Sequence, residues 1–359
     1  MILRDAHCPA VTRELSDLLQ RESLELIGVA GPEQETAHAE AEYGEWVTAG
    51  HNGSMEYLSR HAGLKYHPAR VLPGCRSVIV VGMNYYQPMG PAAKAAPTGR
   101  VARYAWGRDY HNALGKRLKR VVRRLRERHS REDFRSFVDS SPLSERFFAE
   151  RAGIGFTAKN TLTISSCYGS WFFLGEIVTT IEYPPTPAPP GVHSGCPHGC
   201  FQCGNACPTG ALFAPHRINA TRCISYLTIE HRGSIPEEIR LLMGDWIFGC
   251  DLCQETCPLN NRARTTELTD FRAHRAGERI ELSEILAIRD DEAYRARFAG
   301  TPLLRPGRAA MIRNATIAAA NTGSIDLLPR LRMLAHDGNT VIREHAGWAA
   351  ELLAGGSVD

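Results

Sequence analysis

The sequence of 359 residues predicts a mixed α/β protein in three parts. We expect an α/β domain over residues 1–185, a cysteine-rich domain over 186–262 and a helical domain over 263–359. Three observations predict this division. Apolar β-branched runs alternate with helical patterns in the first part, eight cysteines cluster in the second, and amphipathic helical patterns dominate the third. The proline-rich run 184–191 predicts a stiff linker between the first two parts.

The strands of the first part are predicted from short apolar runs. The first follows a helix that begins near residue 11, and the runs are Leu24–Ala30, Ser77–Gly82, Arg135–Asp139 and Trp171–Ile181. Between the second and third runs, apolar residues at helical spacing over Leu114–His129 predict an amphipathic helix. The other face of that helix is rich in lysine and arginine, which indicates either a solvated surface or contact with RNA phosphates.

One more helix is predicted before the last strand of the first part. Ser141 can cap it, Pro142 suits its first position, and Gly153 lies where it should end.

The third part contains a weak internal repeat. Met311–Ala320 aligns with Val341–Ala350, with isoleucine, arginine and two alanines in common. Short helices repeated in this way predict a HEAT-like helical pack, and a plain helical cap is the alternative.

Composition narrows the class of protein. The net charge of +3 does not by itself indicate nucleic-acid binding, and no apolar run approaches the roughly eighteen residues of a membrane span. The run Met1–Cys8 has neither an apolar core nor a twin arginine, so we expect no export signal. The cysteines are odd in number and clustered, which favours metal ligation in a reducing cytosol over a disulfide framework.

The cysteine spacing predicts two iron–sulfur clusters, most simply both 4Fe–4S. Cys200–Pro208 and Cys250–Pro258 follow the ferredoxin signature, in which the last cysteine of each run ligates the other cluster. This crossover predicts one cluster on Cys196, Cys200, Cys203 and Cys257 and the other on Cys207, Cys223, Cys250 and Cys253.

One ligand departs from the signature. Pro197 occupies the position expected for a cysteine, so Cys196 lies one residue too far from Cys200 and its loop must absorb the extra residue. Structural zinc and buried free thiols are the alternatives for the cluster region, and the scattered Cys8, Cys75 and Cys167 are predicted to be buried thiols.

Several longer segments carry a family resemblance. They are Arg103–His111, Phe137–Pro142, Lys159–Ile164, Tyr168–Glu176, Cys223–Glu230, Gly249–Gln254 and Ile312–Asn314. In this order, over nearly the whole chain, they resemble the epoxyqueuosine reductases. The resemblance implies a cytosolic, cobalamin-dependent enzyme that removes the epoxide oxygen of epoxyqueuosine at the wobble position of tRNA, the last step of queuosine synthesis.

The resemblance also implies an architecture. It predicts a corrin-binding α/β domain, a ferredoxin-like domain with two 4Fe–4S clusters and a HEAT-like C-terminus that touches tRNA. The sequence has no Asp-x-His-x-x-Gly motif for a lower cobalt ligand, which fits a base-off cobalamin. An external electron donor, such as a flavodoxin or ferredoxin, and no membrane partner are expected.

The resemblance makes Asp139 the expected proton donor to the epoxide oxygen. Asp139 ends a predicted strand just before a helix, and the helix dipole alone would lower the pKa of its carboxyl. Burial against the corrin and the substrate is expected to keep it protonated. The alternative is that Asp139 only caps the following turn.

Further site residues follow from the resemblance. The expected cobalamin contacts are Arg60, Asp139, Lys159, Asn160 and Thr163. Tyr104, Asp109 and His111 are expected in the pocket, with His111 outside the catalytic set. The expected tRNA contacts are Arg232, Arg240, Arg313 and Arg343. The rival functions are a reductive dehalogenase-like cobalamin enzyme, a non-catalytic iron–sulfur electron carrier and a tRNA-binding scaffold.

Overall fold

The computed structural model describes residues 12–90, 96–139, 142–187, 195–272 and 275–355. In chain order the strands are β1 (Leu26–Ala30), β2 (Ser77–Asn84), β3 (Thr98–Val101), β4 (Phe134–Phe137), β5 (Phe156–Thr157), β6 (Thr163–Ile164), β7 (Phe172–Thr179), β8 (Leu212–Ala214), β9 (Arg217–Ile218), β10 (Trp246–Phe248) and β11 (Arg279–Glu281).

The α-helices lie between and after these strands. They are α1 (Arg13–Gln20), α2 (Ala37–Thr48), α3 (Glu56–Arg60), α4 (Pro68–Val71), α5 (Tyr110–Arg128), α6 (Glu145–Arg151), α7 (Gln202–Asn205), α8 (Ile224–Ile229), α9 (Glu237–Arg240), α10 (Leu252–Glu255), α11 (Thr269–Arg272), α12 (Leu282–Leu286), α13 (Asp291–Phe298), α14 (Gly307–Asn321), α15 (Leu328–Leu334) and α16 (Thr340–Gly355). No helix in the described ranges has the length and apolar content to cross a membrane.

The main sheet is antiparallel throughout, in the order β1-β2-β7-β4. β2 is buried along its whole length because α5 covers one face of the sheet and α6 the other, so apolar residues are needed on both sides. At Gly28 of β1 a Cβ would lie 2.1 Å from the carbonyl oxygen of Ala152, and glycine therefore allows the end of α6 to approach the sheet. The predicted mixed α/β layer is confirmed.

α5 buries the apolar face that the sequence predicts, and much of its basic face is paired within the protein. Glu22 forms ion pairs with Arg120 and Arg124, and Glu14 pairs with Arg128. These contacts favour the interpretation of a charged, solvated surface over a helix dedicated to RNA phosphates.

The smaller sheet joins the three predicted parts. Its order is β10-β3-β11, so one strand comes from each part. A single hydrophobic core likewise contains Val101, Phe248, Leu282 and Met311. Because these segments share a core, the boundaries 1–185, 186–262 and 263–359 do not separate independent cores, and the division into three domains stays a prediction.

The C-terminal helices pack around α14. Every residue of α14 from Ala310 to Ala320 is buried, since α12, α16 and β10 surround it. The two repeat segments predicted from the sequence lie in α14 and α16, which pack against each other. The HEAT-like description of this pack stays a prediction.

Two predictions about connections are wrong. The helix expected to start at Pro142 is α6, which begins at Glu145 after Ser144; Ser141 lies outside the described residues. The start of the proline-rich linker is attached to the main sheet, because Thr186 exchanges two 2.9 Å hydrogen bonds with the backbone of Val29. Residues 184–187 are therefore not a free spacer.

The scattered cysteines differ in exposure. Cys75 is buried, as predicted, and burial raises the pKa of its thiol. Cys167 is partly exposed, which corrects the prediction, and Cys8 lies outside the described residues.

Candidate functional site

The structure brings Cys196, Cys200, Cys203 and Cys257 together around a cavity of about 20 Å³. Cys257 comes from the second cysteine run, and the other three come from the first. The turn at Pro197 absorbs the extra residue before Cys200, whose backbone N–H donates to the Pro197 carbonyl at 3.0 Å. The spacing of Cys196 therefore does not prevent it from lying beside the other three cysteines.

The other four cysteines form a second neighbourhood. Burial raises the pKa of Cys250, and negative charge on Cys223 and Cys207 raises it further. Burial raises the pKa of Cys253 well above its usual value, and Cys223 and Cys250 add to the effect. These neighbours are compatible with the crossover pattern, and the two ligand sets stay a prediction.

Buried thiols of this kind favour the neutral form unless a cation compensates the thiolate charge. Iron ligation supplies that compensation, because the thiolate is the form that binds metal. Within the described ranges, no three histidine, cysteine or acidic side chains are grouped to hold a single metal ion.

The β5–β6 turn braces both cysteine sets. The Lys159 backbone N–H donates to the Cys196 sulfur at 3.4 Å, and its Nζ donates to the Cys200 carbonyl at 2.6 Å. Asn160 Nδ2 donates to the Cys253 carbonyl at 3.3 Å. The structure thus places Lys159 and Asn160 against the cysteine loops.

The other predicted cofactor contacts are placed differently. Thr163 is buried, and its hydroxyl has no hydrogen-bond partner in the described part of the chain. Arg60 is exposed at the end of α3.

A separate polar site forms around Asp139. Asp139 follows β4 in the left-handed region, with φ 55°, which costs a non-glycine residue roughly 1–2 kcal/mol. Its backbone N–H donates to Glu145 Oε1 at 2.6 Å. The Tyr110 hydroxyl donates to Asp139 Oδ2 at 2.5 Å, and His111 Nε2 lies 3.2 Å from the same oxygen. These contacts hold an unfavourable backbone conformation in place.

The hydrogen bonds set the charge at this site. The Asp139 side chain is 58% exposed, and its partial desolvation raises its pKa. The bonds from His111 and Tyr110 outweigh this effect and leave the pKa below its usual value. Burial lowers the pKa of His111, whereas its bonds to Asp109 and Asp139 raise it to about 9. Without corrin and substrate, these shifts favour a carboxylate on Asp139 and an imidazolium on His111 at neutral pH. The expectation that burial against the corrin and the substrate keeps Asp139 protonated stays a prediction.

Aromatic rings line this site. Tyr110 stacks on Phe173 with centroids 4.3 Å apart, and Tyr104 packs edge-on against Tyr110. Burial raises the pKa of Tyr104 well above its usual value, and the charges of Asp139 and Asp251 raise it further. Tyr104 therefore lies between the Asp139 site and the loop of the second cysteine set.

Sequence reasoning missed two groups that touch Asp139. Tyr110 belongs to the segment Arg103–His111, which carries part of the family resemblance. Its place in that segment, between Asp109 and His111, could have identified it as a site residue. Glu145 gave no signal, because its contact with Asp139 depends on where α6 begins. Burial holds the pKa of Glu145 well above its usual range, and Glu176 and Asp139 add to this effect.

Comparisons with known proteins agree with this geometry. The epoxyqueuosine reductase of Xanthomonas campestris pv. campestris is 39% identical over 88% of this chain and 89% of its own. The chain belongs to the epoxyqueuosine reductase family. The Escherichia coli K12 epoxyqueuosine reductase is 35% identical over 95% of this chain and 90% of its own.

Family models divide the match between two regions. The model "Epoxyqueuosine reductase QueG, DUF1730" matches residues 65–140, and the "4Fe-4S double cluster binding domain" matches residues 196–260. The second match spans all eight clustered cysteines and supports iron–sulfur clusters as the cofactors of this region.

Solved structures of the family share the fold. An epoxyqueuosine reductase in complex with an epoxyqueuosine-modified tRNA-Tyr stem loop superposes with a TM-score of 0.87, at 30% identity over 95% of this chain and 89% of its own. The Bacillus subtilis epoxyqueuosine reductase, solved with its catalytic aspartate loop swung out of the active site, gives 0.85 at 29% identity over 94% and 90%.

Two of the four arginines expected to bind tRNA are buried, which corrects that prediction. Arg313 is fully buried, and its guanidinium donates to the carbonyls of Leu227, His231 and Gly233. Arg240 is 2% exposed and donates to the Ile235 carbonyl. A guanidinium held inside the protein in this way does not reach a phosphate.

The other two arginines are exposed. Arg232 donates to the carbonyls of Ile229 and Arg305, and Arg343 donates to the Asp337 carbonyl at 2.6 Å. Both keep donor groups at the surface, so both stay candidates for contact with RNA.

Proposed function

We propose that this protein reduces epoxyqueuosine in tRNA to queuosine. The observation that carries the proposal is that a member of this family has two groups of four cysteines and, in the same chain, an Asp139 carboxyl that contacts His111 Nε2 at 3.2 Å. One relative was solved with an epoxyqueuosine-modified tRNA stem loop, which supports tRNA as the substrate.

The reaction needs both the cysteine sets and the Asp139 site. Converting an epoxide to an alkene consumes two electrons and two protons and releases water. Iron–sulfur clusters, when bound, pass electrons one at a time. The protein must therefore receive electrons from an external donor and place a proton beside the oxygen that leaves, and Asp139 is the proposed donor of that proton.

We include cobalamin, in its base-off form, as the second cofactor. The buried Thr163 hydroxyl lacks a partner among the described residues, and Arg60 is free of ion pairs there, so both fit contacts to a corrin amide or phosphate. Cobalamin, when bound, supplies a strong nucleophile or reductant for the epoxide. Lys159 and Asn160 donate hydrogen bonds to the cysteine loops. They therefore contribute less to the proposed cobalamin site than the sequence indicates.

The same proposal names the surface that binds tRNA, the cellular compartment and the electron donor. Arg232 and Arg343 contact tRNA phosphates, and the C-terminal helices form the HEAT-like surface that receives the RNA. The chain works in the cytoplasm, where its tRNA substrate is found, with a flavodoxin- or ferredoxin-like protein as electron donor.

The decisive experiment is anaerobic. Protein with reconstituted clusters is incubated with cobalamin, a low-potential reductant and tRNA that carries epoxyqueuosine, and the nucleosides are analysed by mass spectrometry. The proposal requires conversion of the modified nucleoside to one lighter by a single oxygen atom. Unchanged nucleoside with intact clusters would contradict it, and would favour a non-catalytic electron carrier.

A further inference from the structure

We propose that His111 stores the proton that Asp139 delivers, and that Asp109 is the positioning residue that keeps the imidazole charged. This inference rests on the proposed reduction of epoxyqueuosine. It concerns a histidine that sequence reasoning left outside the catalytic set.

The geometry around the imidazole requires two donors. His111 Nδ1 lies 2.8 Å from Asp109 Oδ1, and His111 Nε2 lies 3.2 Å from Asp139 Oδ2. An ionised carboxylate only accepts hydrogen bonds, and a neutral imidazole has only one N–H. With both carboxylates ionised, the two contacts are satisfied together only when the ring carries two protons, which is the imidazolium form.

Asp109 is fixed independently of the ring. It is the N-cap of α5, and its Oδ1 also accepts from the His111 backbone N–H at 2.9 Å. The same oxygen therefore orients the backbone and the ring of His111. An acceptor held in this way fixes the orientation of Nε2 toward Asp139.

Other charged and titratable groups face the pair from every neighbouring element. They are Tyr104 before α5, Tyr110 on α5, Glu145 and Arg146 on α6, Lys65 before α4, Tyr57 on α3 and Arg305 near the start of α14. Arg305 lowers the pKa of Asp139, as does the Tyr110 hydroxyl. Their effects favour the carboxylate, so the stored proton resides on His111 at rest.

The proton transfer balances with the proposed reaction. When substrate excludes water, the proton moves from His111 Nε2 to Asp139 Oδ2 and leaves a neutral pair. As the carbon–oxygen bonds of the epoxide break and the two electrons arrive from the clusters, Asp139 gives this proton to the oxygen and returns to carboxylate. The second proton comes from solvent, and solvent also reloads His111, whose side chain is 42% exposed.

The test compares His111→Gln and Asp109→Asn with native protein and with the control His38→Gln, which alters a histidine that is 85% exposed. Single-turnover rates are measured across pH with clusters, cobalamin and tRNA present. We expect the native rate to be level below pH 9 and to fall above it, because His111 loses its proton there. His111→Gln should lower the rate by about 10²-fold or more and abolish the alkaline limb.

The Asp109→Asn variant distinguishes the proposed electrostatic role of Asp109 from a purely structural one. Without the Asp109 charge, the pKa of His111 should move toward the ordinary value of about 6.5. The alkaline limb should shift to lower pH, with near-native rates recovered in acid. An unchanged pH profile in either variant would overturn the inference.

A second measurement separates this inference from the proposed function. The pKa of His111 is read by NMR of ring-labelled histidine in oxidised, cluster-loaded protein without substrate, using His111→Gln to assign the signal. A His111 pKa near 9 in native protein, and a lower pKa in Asp109→Asn, supports protonated His111 as the proton store. A native value near 6.5 refutes it, whether or not the protein reduces epoxyqueuosine.

Discussion

Replacing Arg313 with alanine should destabilise the protein while leaving RNA phosphate contacts intact. The guanidinium is the hydrogen-bond donor for three carbonyls, those of Leu227, His231 and Gly233, at 2.5 to 2.9 Å. Leu227 and its carbonyl are buried, and the other two bonds are partly buried. Each carbonyl left without its donor costs about 1–1.5 kcal/mol, so the total is about 3–4.5 kcal/mol. With an unfolding entropy of about 2.1 cal/mol/K per residue, a chain of 359 residues loses about 4–6 °C in Tm.

The assay is thermal unfolding of cluster-loaded protein under anaerobic conditions, with Arg343→Ala as the control. Arg343 is exposed, so its removal should change Tm by less than about 1 °C. The salt dependence of tRNA binding is measured in parallel and should be native for Arg313→Ala at temperatures where it is folded. If Arg313→Ala keeps the native Tm and loses salt-dependent affinity, Arg313 reaches a phosphate and the buried assignment is wrong.

Three further predictions concern the site directly. Asp139→Asn should keep both clusters, read from absorbance, and lower the single-turnover rate by about 10²–10⁴-fold; a native rate contradicts its role as acid. Cys196→Ser should reduce bound iron to about half, whereas Cys167→Ser should retain it; full iron in the first variant removes Cys196 from the ligands. Arg232→Ala and Arg343→Ala should each reduce the salt slope of tRNA binding by about 0.7–0.9, and an unchanged slope excludes that residue as a phosphate contact.

Local patterns were sufficient for the regular elements. β2 is recognisable because a central strand covered on both faces must be apolar throughout, and α5 because one of its faces packs on the sheet. The cysteine sets were predictable for a similar reason. A short loop around a cluster fixes the spacing of its ligands within the chain, so long-range information is needed for the crossover of Cys257 and Cys207 and for the isolated Cys223.

Contacts between distant segments were not predictable from such patterns. Arg313 lies among alanines and isoleucines in α14, yet the carbonyls that hold it are 80 to 86 residues earlier in the chain. An arginine in that context has the same local pattern whether it is buried or exposed. Asp139 shows the same limit, because its charge depends on His111, which is 28 residues away, and on Glu145 at the start of α6.

The segment Lys159–Ile164 gains a different explanation from the one that its sequence favoured. Its turn contacts the first cysteine set through Lys159 and the second through Asn160. At Thr161, which has φ 66°, the carbonyl accepts a hydrogen bond from Arg146 of α6, the neighbour of Glu145. One short turn therefore joins both cysteine loops to α6, whose Glu145 accepts the Asp139 backbone N–H.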